Sequence, residues 1–341
     1  MKFTNSISVV DSHTQGNPTR VVIGGLPPIL GKTMIDKMNY VRSNLDDLVT
    51  GIQWEPRGHD DIFLTIITSP VNPEANFGVV YKGQYEYFFM CGHGTIGTVT
   101  VAIETGIVKA NEPFTDVLLD TPSGLVSAKA RVENGSVKSV TIRNVPSFLY
   151  KKDVYVEIPK IGKVRGDISF GGDFFYITES SELGINLDTI QIEELIQIGS
   201  KIKNAVNNSI SVSHPVIKEV HEIHGTIING PPTNPKADCR NLAFSGTHVD
   251  RSPCGTGTCA KMAALFGRGK LKKGDIFITE SILGTTYEGK IVDEIKFENY
   301  NAIIPEITGQ AWISGFNNLL IDPEDPFKYG FRLKDKIIKR G

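Results

Sequence analysis

At 341 residues, with 40% apolar side chains, 34 glycines and a formal net charge of −2, the chain is long enough for two buried cores and has a globular composition. Both signs of charge are spread along it, so neither nucleic acid nor an anionic membrane surface is an expected partner. No run approaches the ~20 apolar residues of a membrane span, and the start, Met1-Lys2-Phe3-Thr4-Asn5, lacks the apolar region of a signal peptide. Four cysteines in so long a chain do not make a disulfide framework, so reduced thiols in a cytoplasmic protein are expected.

Short β-branched runs bounded by Gly, Pro or Asp predict strands at 7–10, 20–23, 62–68, 78–81, 85–89 and 117–120. Helices are expected at 32–44, where Met34, Met38 and Val41 recur at helical spacing, and at 95–105, closed by Gly106. From about residue 123 the pattern restarts, with strands at 125–133, 139–145, 153–158 and 169–177. A helix over 187–207 would bury Ile190, Leu195 and Ile202. Strands at 216–223 and 240–244 lead to a short helix at 260–266, closed by Gly267 and Gly269. Strands at 276–280, 286–291, 302–309 and 312–320 follow, then the turn cluster Asp322-Pro323-Glu324-Asp325-Pro326. The order is α+β and duplicated rather than a parallel βαβ array, with a domain boundary near residue 125.

Each half carries one copy of a short phrase: Cys91-Gly92-His93-Gly94-Thr95 and Cys254-Gly255-Thr256-Gly257-Thr258, each running into an apolar, helix-length stretch. A single copy has an ordinary reading, an inert buried cysteine beside a glycine turn; two copies agreeing at Cys, Gly, Gly and Thr do not. Glycine permits a tight entry and close approach of a ligand. The N–H groups and dipole at a helix start attract a carboxylate and favour thiolate over thiol, which would pull both sulfurs below ~8.5. Two such half-sites facing across a cleft would place one thiol on each face of a substrate carbon.

Neighbouring residues carry two readings each. His93 is a partner for substrate or thiol, or a surface histidine at a helix start. Asp250, in Asp250-Arg251-Ser252-Pro253-Cys254, can bind an ammonium or form a turn. Arg57-Gly58-His59-Asp60-Asp61 is a polar knot whose plain reading is a salt-bridged turn. Zinc at Cys91 with His93, or at Cys254 with Cys259, fits no ligand framework, and Cys254 and Cys259 point apart on a helix start. Nothing suggests a cysteine hydrolase, a phosphate loop, a dinucleotide fingerprint or a marked Schiff-base lysine.

These residues resemble the proline racemase family along nearly the whole chain. The resemblance runs through Asp11-Ser12-His13-Thr14-Gln15-Gly16, Glu55-Pro56-Arg57-Gly58-His59-Asp60, Met90 to Gly97, Asn144 to Tyr150, Phe170-Gly171-Gly172-Asp173-Phe174-Phe175, Asp250 to Thr258, Glu280 to Gly284 and Ile307-Thr308-Gly309. It implies a diaminopimelate epimerase-like fold: two similar domains, each a curved, mostly antiparallel sheet around a central helix, with the active site in the cleft between them. The last residues would return to complete the first domain, giving 1–125 with 312–341, and 126–311.

The resemblance also implies a homodimer that uses no pyridoxal phosphate or metal. Cys91 and Cys254 would act as a thiolate/thiol pair, Gly92, His93, Gly255 and Thr256 would hold the carboxylate, and Asp250 the imino nitrogen. Relatives racemise proline, epimerise 4-hydroxyproline or dehydrate 3-hydroxyproline; the dehydratases carry threonine at the second cysteine, so Cys254 argues against that branch. Phe63 and Phe244 match the ring-lining phenylalanines of the proline enzymes and favour an unsubstituted ring, because a buried hydroxyl there would lose water without gaining a partner. Departures from the family pattern are Cys259 in place of Ser, Cys239-Arg240 in place of Tyr-Lys, and Leu242-Ala243 in place of bulkier residues. They bear on the ring pocket, not on the chemistry.

Overall fold

The structure, a computed structural model, describes residues 5–187, 192–245, 248–333 and 336–339. It divides into two compact units, Met1–Val140 with Gln310–Gly341, and Thr141–Gly309. The first stretch holds β1 (Asn5–Thr14), β2 (Asn17–Gly24), α1 (Met34–Tyr40), a π-helical turn (Val41–Leu45) and α2 (Asp46–Gln53). It continues with β3 (Phe63–Thr68), β4 (Phe77–Lys82), β5 (Tyr87–Phe88), α3 (Gly92–Glu104), β6 (Phe114–Thr121) and β7 (Gly124–Glu133). β8 (Ser136–Arg143) contains the boundary.

The second unit holds β9 (Ser147–Ile158), β10 (Gly162–Phe170), β11 (Phe174–Glu179), α4 (Ile192–Ser209), β12 (Ile223–Gly230), β13 (Cys239–Ser245) and β14 (His248–Val249). Then come α5 (Gly255–Gly267), β15 (Ile276–Glu280), β16 (Thr286–Phe297) and β17 (Tyr300–Gly309). The chain returns to the first unit as β18 (Ala311–Ile321), β19 (Phe331–Arg332) and β20 (Ile337–Ile338).

The two units repeat one pairing scheme. In the first, the order is β18-β1-β2-β3-β4-β6-β7, antiparallel except for the parallel pairs β2/β3 and β4/β6. In the second it is β9-β10-β11-β12-β13-β15-β16-β17, with β11/β12 and β13/β15 parallel. There β17 also pairs with β9, Ala302 opposite Phe148, and closes the ring. Parallel neighbours need a crossover, which helices commonly supply. Accordingly α1–α2 and α4 occupy one crossover of each unit, and α3 and α5 the other.

Strand alternation separates two cores. In the first unit Leu64 and Ile66 face outward with Ile7, Val9 and Val22 against α1 and α2, while Val10 and Val21 face Val101 of α3. Residues Gly92 to Ile103 are all buried, as a helix apolar on every side must be. In the second unit Phe175, Ile177, Ile227 and Ala243 pack on Ala260 and Ala264 of α5. Each unit therefore has the mostly antiparallel sheet and central helix that the family resemblance implies.

Several expectations are corrected. The boundary near 125 falls inside a hairpin, because β7 pairs with β6 from Gly124 to Arg131. Residues 216–222 form turns rather than a strand, and only Ile223, the first residue of β12, is extended: the N–H groups of Val216 and Ile217 donate to His214 Nδ1, 3.2 and 2.9 Å, leaving them unavailable to a ladder. The 32–44 helix continues through the π-helical turn into α2. The second long helix is described from Ile192; Leu195 and Ile202 are wholly buried, and Ile190 lies outside the described residues. The polar knot is a salt-bridged fastening. Arg57 donates to the Leu320 carbonyl at 2.9 Å and pairs with Asp325 at 2.5 Å, while buried Arg332 pairs with Asp60 at 3.1 Å.

His214 is 5% exposed and lies tilted among the rings of Phe148, Phe170 and Phe297. Burial lowers its pKa to about 4, from 6.5 for the free side chain. The unfolded chain therefore binds the extra proton first. This stability is present above pH 6.5 and is lost as pH falls towards about 4. Thermal midpoints measured across that window should fall less steeply for His214→Asn than for the wild type; parallel slopes would contradict the assignment.

Candidate active site

Both cysteines are N-caps. Cys91 precedes α3 in an extended conformation, φ −144°, and its Sγ accepts the Gly94 N–H at 3.4 Å. Cys254 precedes α5 with φ +64°, a region that L side chains seldom adopt, and its Sγ accepts the Gly257 N–H at 3.3 Å. The carbonyls of the same two residues accept the N–H of Thr95 and Thr258, at 3.0 and 2.8 Å. In each copy the sulfur and carbonyl thus take the third and fourth N–H groups. The two before them, on Gly92 and His93 or Gly255 and Thr256, have no intrahelical acceptor and suit an anion.

Around Cys91 the first unit gathers His93, Asn17 and Phe63. His93 is 6% exposed, which removes its surface reading. Its Nδ1 is 3.3 Å from Cys91 Sγ, its Nε2 is 2.8 Å from Asn17 Nδ2, and its carbonyl accepts from Thr14 Oγ1 at 2.8 Å. Phe63 stands edge-on to the imidazole, centroids 4.6 Å apart. A Cβ on Gly94 would lie 3.0 Å from the Phe63 ring, so a side chain there would press that ring away from the helix start.

Around Cys254 the second unit gathers Asp250, Ser252 and Thr256. Asp250 Oδ1 accepts from both the N–H and the hydroxyl of Ser252, each at 2.8 Å, and Ser252 Oγ accepts the Cys254 N–H at 3.2 Å. Asp250 thus forms a turn and also stands beside the sulfur. Burial, then the Asp250 charge, push the Cys254 thiol well above its ordinary range, against the opposing Gly257 N–H and Thr256 hydroxyl. The expectation that a helix start alone would lower this thiol is therefore overturned: desolvation outweighs one N–H bond and the end of a dipole.

Phe244, expected to line the ring pocket, packs against α4. It pairs with Thr226 on the face of β13 turned to α4, where a Cβ on Gly199 would meet its ring. One residue earlier the alternation reverses, and Ala243 packs with Cys254, Phe175 and Ile227. Cys259 is fully buried in α5 and Cys239 half-buried on β13, each thiol raised to about 12 by burial. No group of three or more His, Cys, Asp or Glu suited to a metal occurs among the described residues.

Asn17 and Ser252 carry no sequence signal of their own. Both stand in stretches that the sequence marks, the turn after Gly16 and the residues leading to Cys254, but a short polar residue in a turn has no signature separating a tether from a cap.

With this geometry in hand, the profile described as Proline racemase matches residues 9–332. The chain belongs to the proline racemase family. It is 49% identical to a proline racemase of Acetoanaerobium sticklandii, covering 97% of this chain and 99% of that one. It is 46% identical to a proline racemase of Clostridioides difficile, covering 98% and 100%. Among solved structures it superposes on a probable proline racemase from Agrobacterium radiobacter with bound carbonate, TM-score 0.91, 31% identity and 97% of each chain. It matches equally a hydroxyproline epimerase from Agrobacterium vitis with bound trans-4-hydroxy-L-proline, TM-score 0.92, 29% identity and 98% of each chain. A PhzF-family protein of Bacillus anthracis shares the fold, TM-score 0.60 at 15% identity, over 94% of this chain and all of that one.

Gly171, at the hairpin between β10 and β11, holds the second half-site from behind: a Cβ there would overlap the Thr256 carbonyl oxygen and the Ala260 nitrogen. These are backbone atoms of the helix start and cannot step aside cheaply. Gly171→Ala should cost about 1–3 kcal/mol in denaturant unfolding. An unchanged midpoint would show that the contact does not hold the helix start.

Proposed function

We propose that the protein interconverts L- and D-proline without a cofactor, as an isomerase acting on a free imino acid, with Cys91 and Cys254 as the two proton carriers. What carries this reading is the repeated construction: each unit presents a thiol as the N-cap of a buried helix, and the start of such a helix suits an anion. One thiolate takes the α-proton while the other thiol gives its proton to the opposite face of the same carbon. The sulfurs exchange roles for the reverse reaction, and no proton is gained or lost. The N–H groups at Gly92, His93, Gly255 and Thr256 would bind the carboxylate and stabilise the charge that spreads onto it, and Asp250 would hold the ring nitrogen.

The reading requires the two half-sites to meet on one small ring. It also takes the chain to act as a homodimer, as the family resemblance implies, and in the cytoplasm, as the few unpaired cysteines lead one to expect; no helix is long and apolar enough to cross a membrane among the described residues.

Proline is favoured by the apolar surroundings of both sulfurs, Phe63 beside the first and Phe175 with Ala243 beside the second. A hydroxyl on the ring would lose water there. The alternative is 4-hydroxyproline 2-epimerase. In its favour, the Agrobacterium vitis epimerase is as close in structure as the probable racemase.

Cys91→Ala and Cys254→Ala should each abolish racemisation; a tenth of wild-type turnover in either would overturn the two-thiol mechanism. Activity should be bell-shaped in pH, with limits that belong to the coupled pair rather than to either residue. L-proline should exceed trans-4-hydroxy-L-proline in kcat/KM, and a preference for the hydroxylated ring would establish the epimerase. Wash-in of deuterium at the proline α-carbon, followed by NMR in D₂O, separates both enzymes from a protein that only binds imino acids, which would show none.

A further inference from the structure

The two cysteine phrases differ at one position, His93 against Thr256, and the surroundings give that difference a chemical direction. Asn17, 1% exposed, sets its side-chain nitrogen 2.8 Å from His93 Nε2. An amide nitrogen only donates, so Nε2 is the acceptor, and the proton of the neutral ring then lies on Nδ1. Nδ1 is the atom 3.3 Å from Cys91 Sγ. The Thr14 bond to the His93 carbonyl and the edge of Phe63 hold the ring in this orientation. Cys91 Sγ therefore meets two N–H groups, from His93 and Gly94, and donors to sulfur favour its thiolate. The titratable groups facing Cys91 in its own unit include His93 on α3 and Tyr81 on β4, whose buried phenol is held neutral.

Cys254 has the opposite surroundings. Its Sγ meets the Gly257 N–H, with the Thr256 hydroxyl farther away at 3.8 Å, beside an Asp250 carboxylate anchored by Ser252. A negative neighbour favours the protonated sulfur. Burial does not separate the two residues, which are 7% and 8% exposed.

We infer that Asn17 is a positioning residue: by fixing His93 as the Nδ1–H tautomer it makes Cys91 the sulfur that is ionised in the ligand-free protein, while Cys254 keeps its proton. The catalytic meaning of this order rests on the two-thiol reading above, but the order itself is a property of each half-site without substrate. It cannot be seen in steady-state kcat/KM. Two enantiomers have equal free energy, so kcat/KM must be equal in the two directions whichever sulfur starts ionised.

The thiols report it directly. Alkylation of the full chain by iodoacetamide across a pH series, resolved by peptide mass spectrometry, should label Cys91 at least tenfold faster than Cys254 at pH 7. In Asn17→Leu the Cys91 rate should fall at least fivefold and its profile move to higher pH, with Cys254 unchanged. Faster or equal labelling of Cys254 in the wild type, or an unmoved Cys91 profile in folded Asn17→Leu, would overturn the inference. Should Asn17→Leu not fold, long-range ¹H–¹⁵N NMR of the wild type, assigned against His93→Gln, reads the ring directly. A protonated Nδ1 and bare Nε2 are expected, and the reverse tautomer overturns it. Ordered labelling in a protein that exchanges no α-hydrogen in D₂O would uphold this inference while removing the proposed reaction.

Discussion

The N–H of the third helical residue pointing back at a cysteine sulfur is the contact on which each unit turns. It makes the thiol part of the helix start, so the position of the sulfur is set by the position of the helix. The helix is in turn fixed by burial on every side within a sheet. That explains why glycine stands where it does around each cysteine. Gly94 admits the Phe63 ring, and a Cβ on Gly257 would fall 2.9 Å from Cys254 Sγ. The threonines at the ends of the two phrases reinforce the arrangement: Thr95 bonds to Tyr81 and to the Cys91 carbonyl, Thr258 to Thr279. Apolar packing supplies the stability, and the few polar groups admitted near the sulfurs supply its direction.

Although the halves share one scheme, they enter it differently. Cys91 follows an apolar lead from Met90 with ordinary extended backbone, whereas Cys254 follows Ser252-Pro253 in a left-handed conformation. Holding a non-glycine residue there costs on the order of 1 kcal/mol or more. The Ser252 hydroxyl offsets part of it by accepting the Cys254 N–H, and Asn241 and Thr258 both donate to the Pro253 carbonyl. The second cysteine is thus tethered by polar bonds along its approach, the first by the aromatic and imidazole groups around its side chain.

Much of this was legible in the sequence because it rests on local patterns. The duplicated phrase marked both helix starts, alternation marked most strands, and the spacing of Leu195 and Ile202 marked a buried helix face. What was missed depends on contacts distant in sequence or on side-chain bonding to the backbone. Residues 216–223 are β-branched enough for a strand, yet His214 draws the N–H groups of Val216 and Ile217 into a turn. The helix expected at 32–44 runs on through α2, where Gly51 lets the returning chain pass close: a Cβ there would meet the Lys328 carbonyl. Phe244 shows a different limit: its place along the chain fits a ring-lining residue, but strand parity, set by pairing with Thr226, decides which face it joins. Asn17 acts across a separation of 76 residues, beyond any local window.

One strand has a consequence for how the chain is made. β18 supplies the partner of β1 from Asn5–Ile321 to Thr14–Ala311, so the first unit draws together segments about three hundred residues apart, while the second is built from one unbroken stretch. Closing so wide a loop is entropically costly and slow. During synthesis the downstream unit has all its strands before the upstream one does, and β1 emerges from the ribosome long before its neighbour exists. The amino-terminal half must then wait, one sheet edge uncovered, until the carboxyl-terminal segment arrives; in this fold the part translated first is the last to be finished.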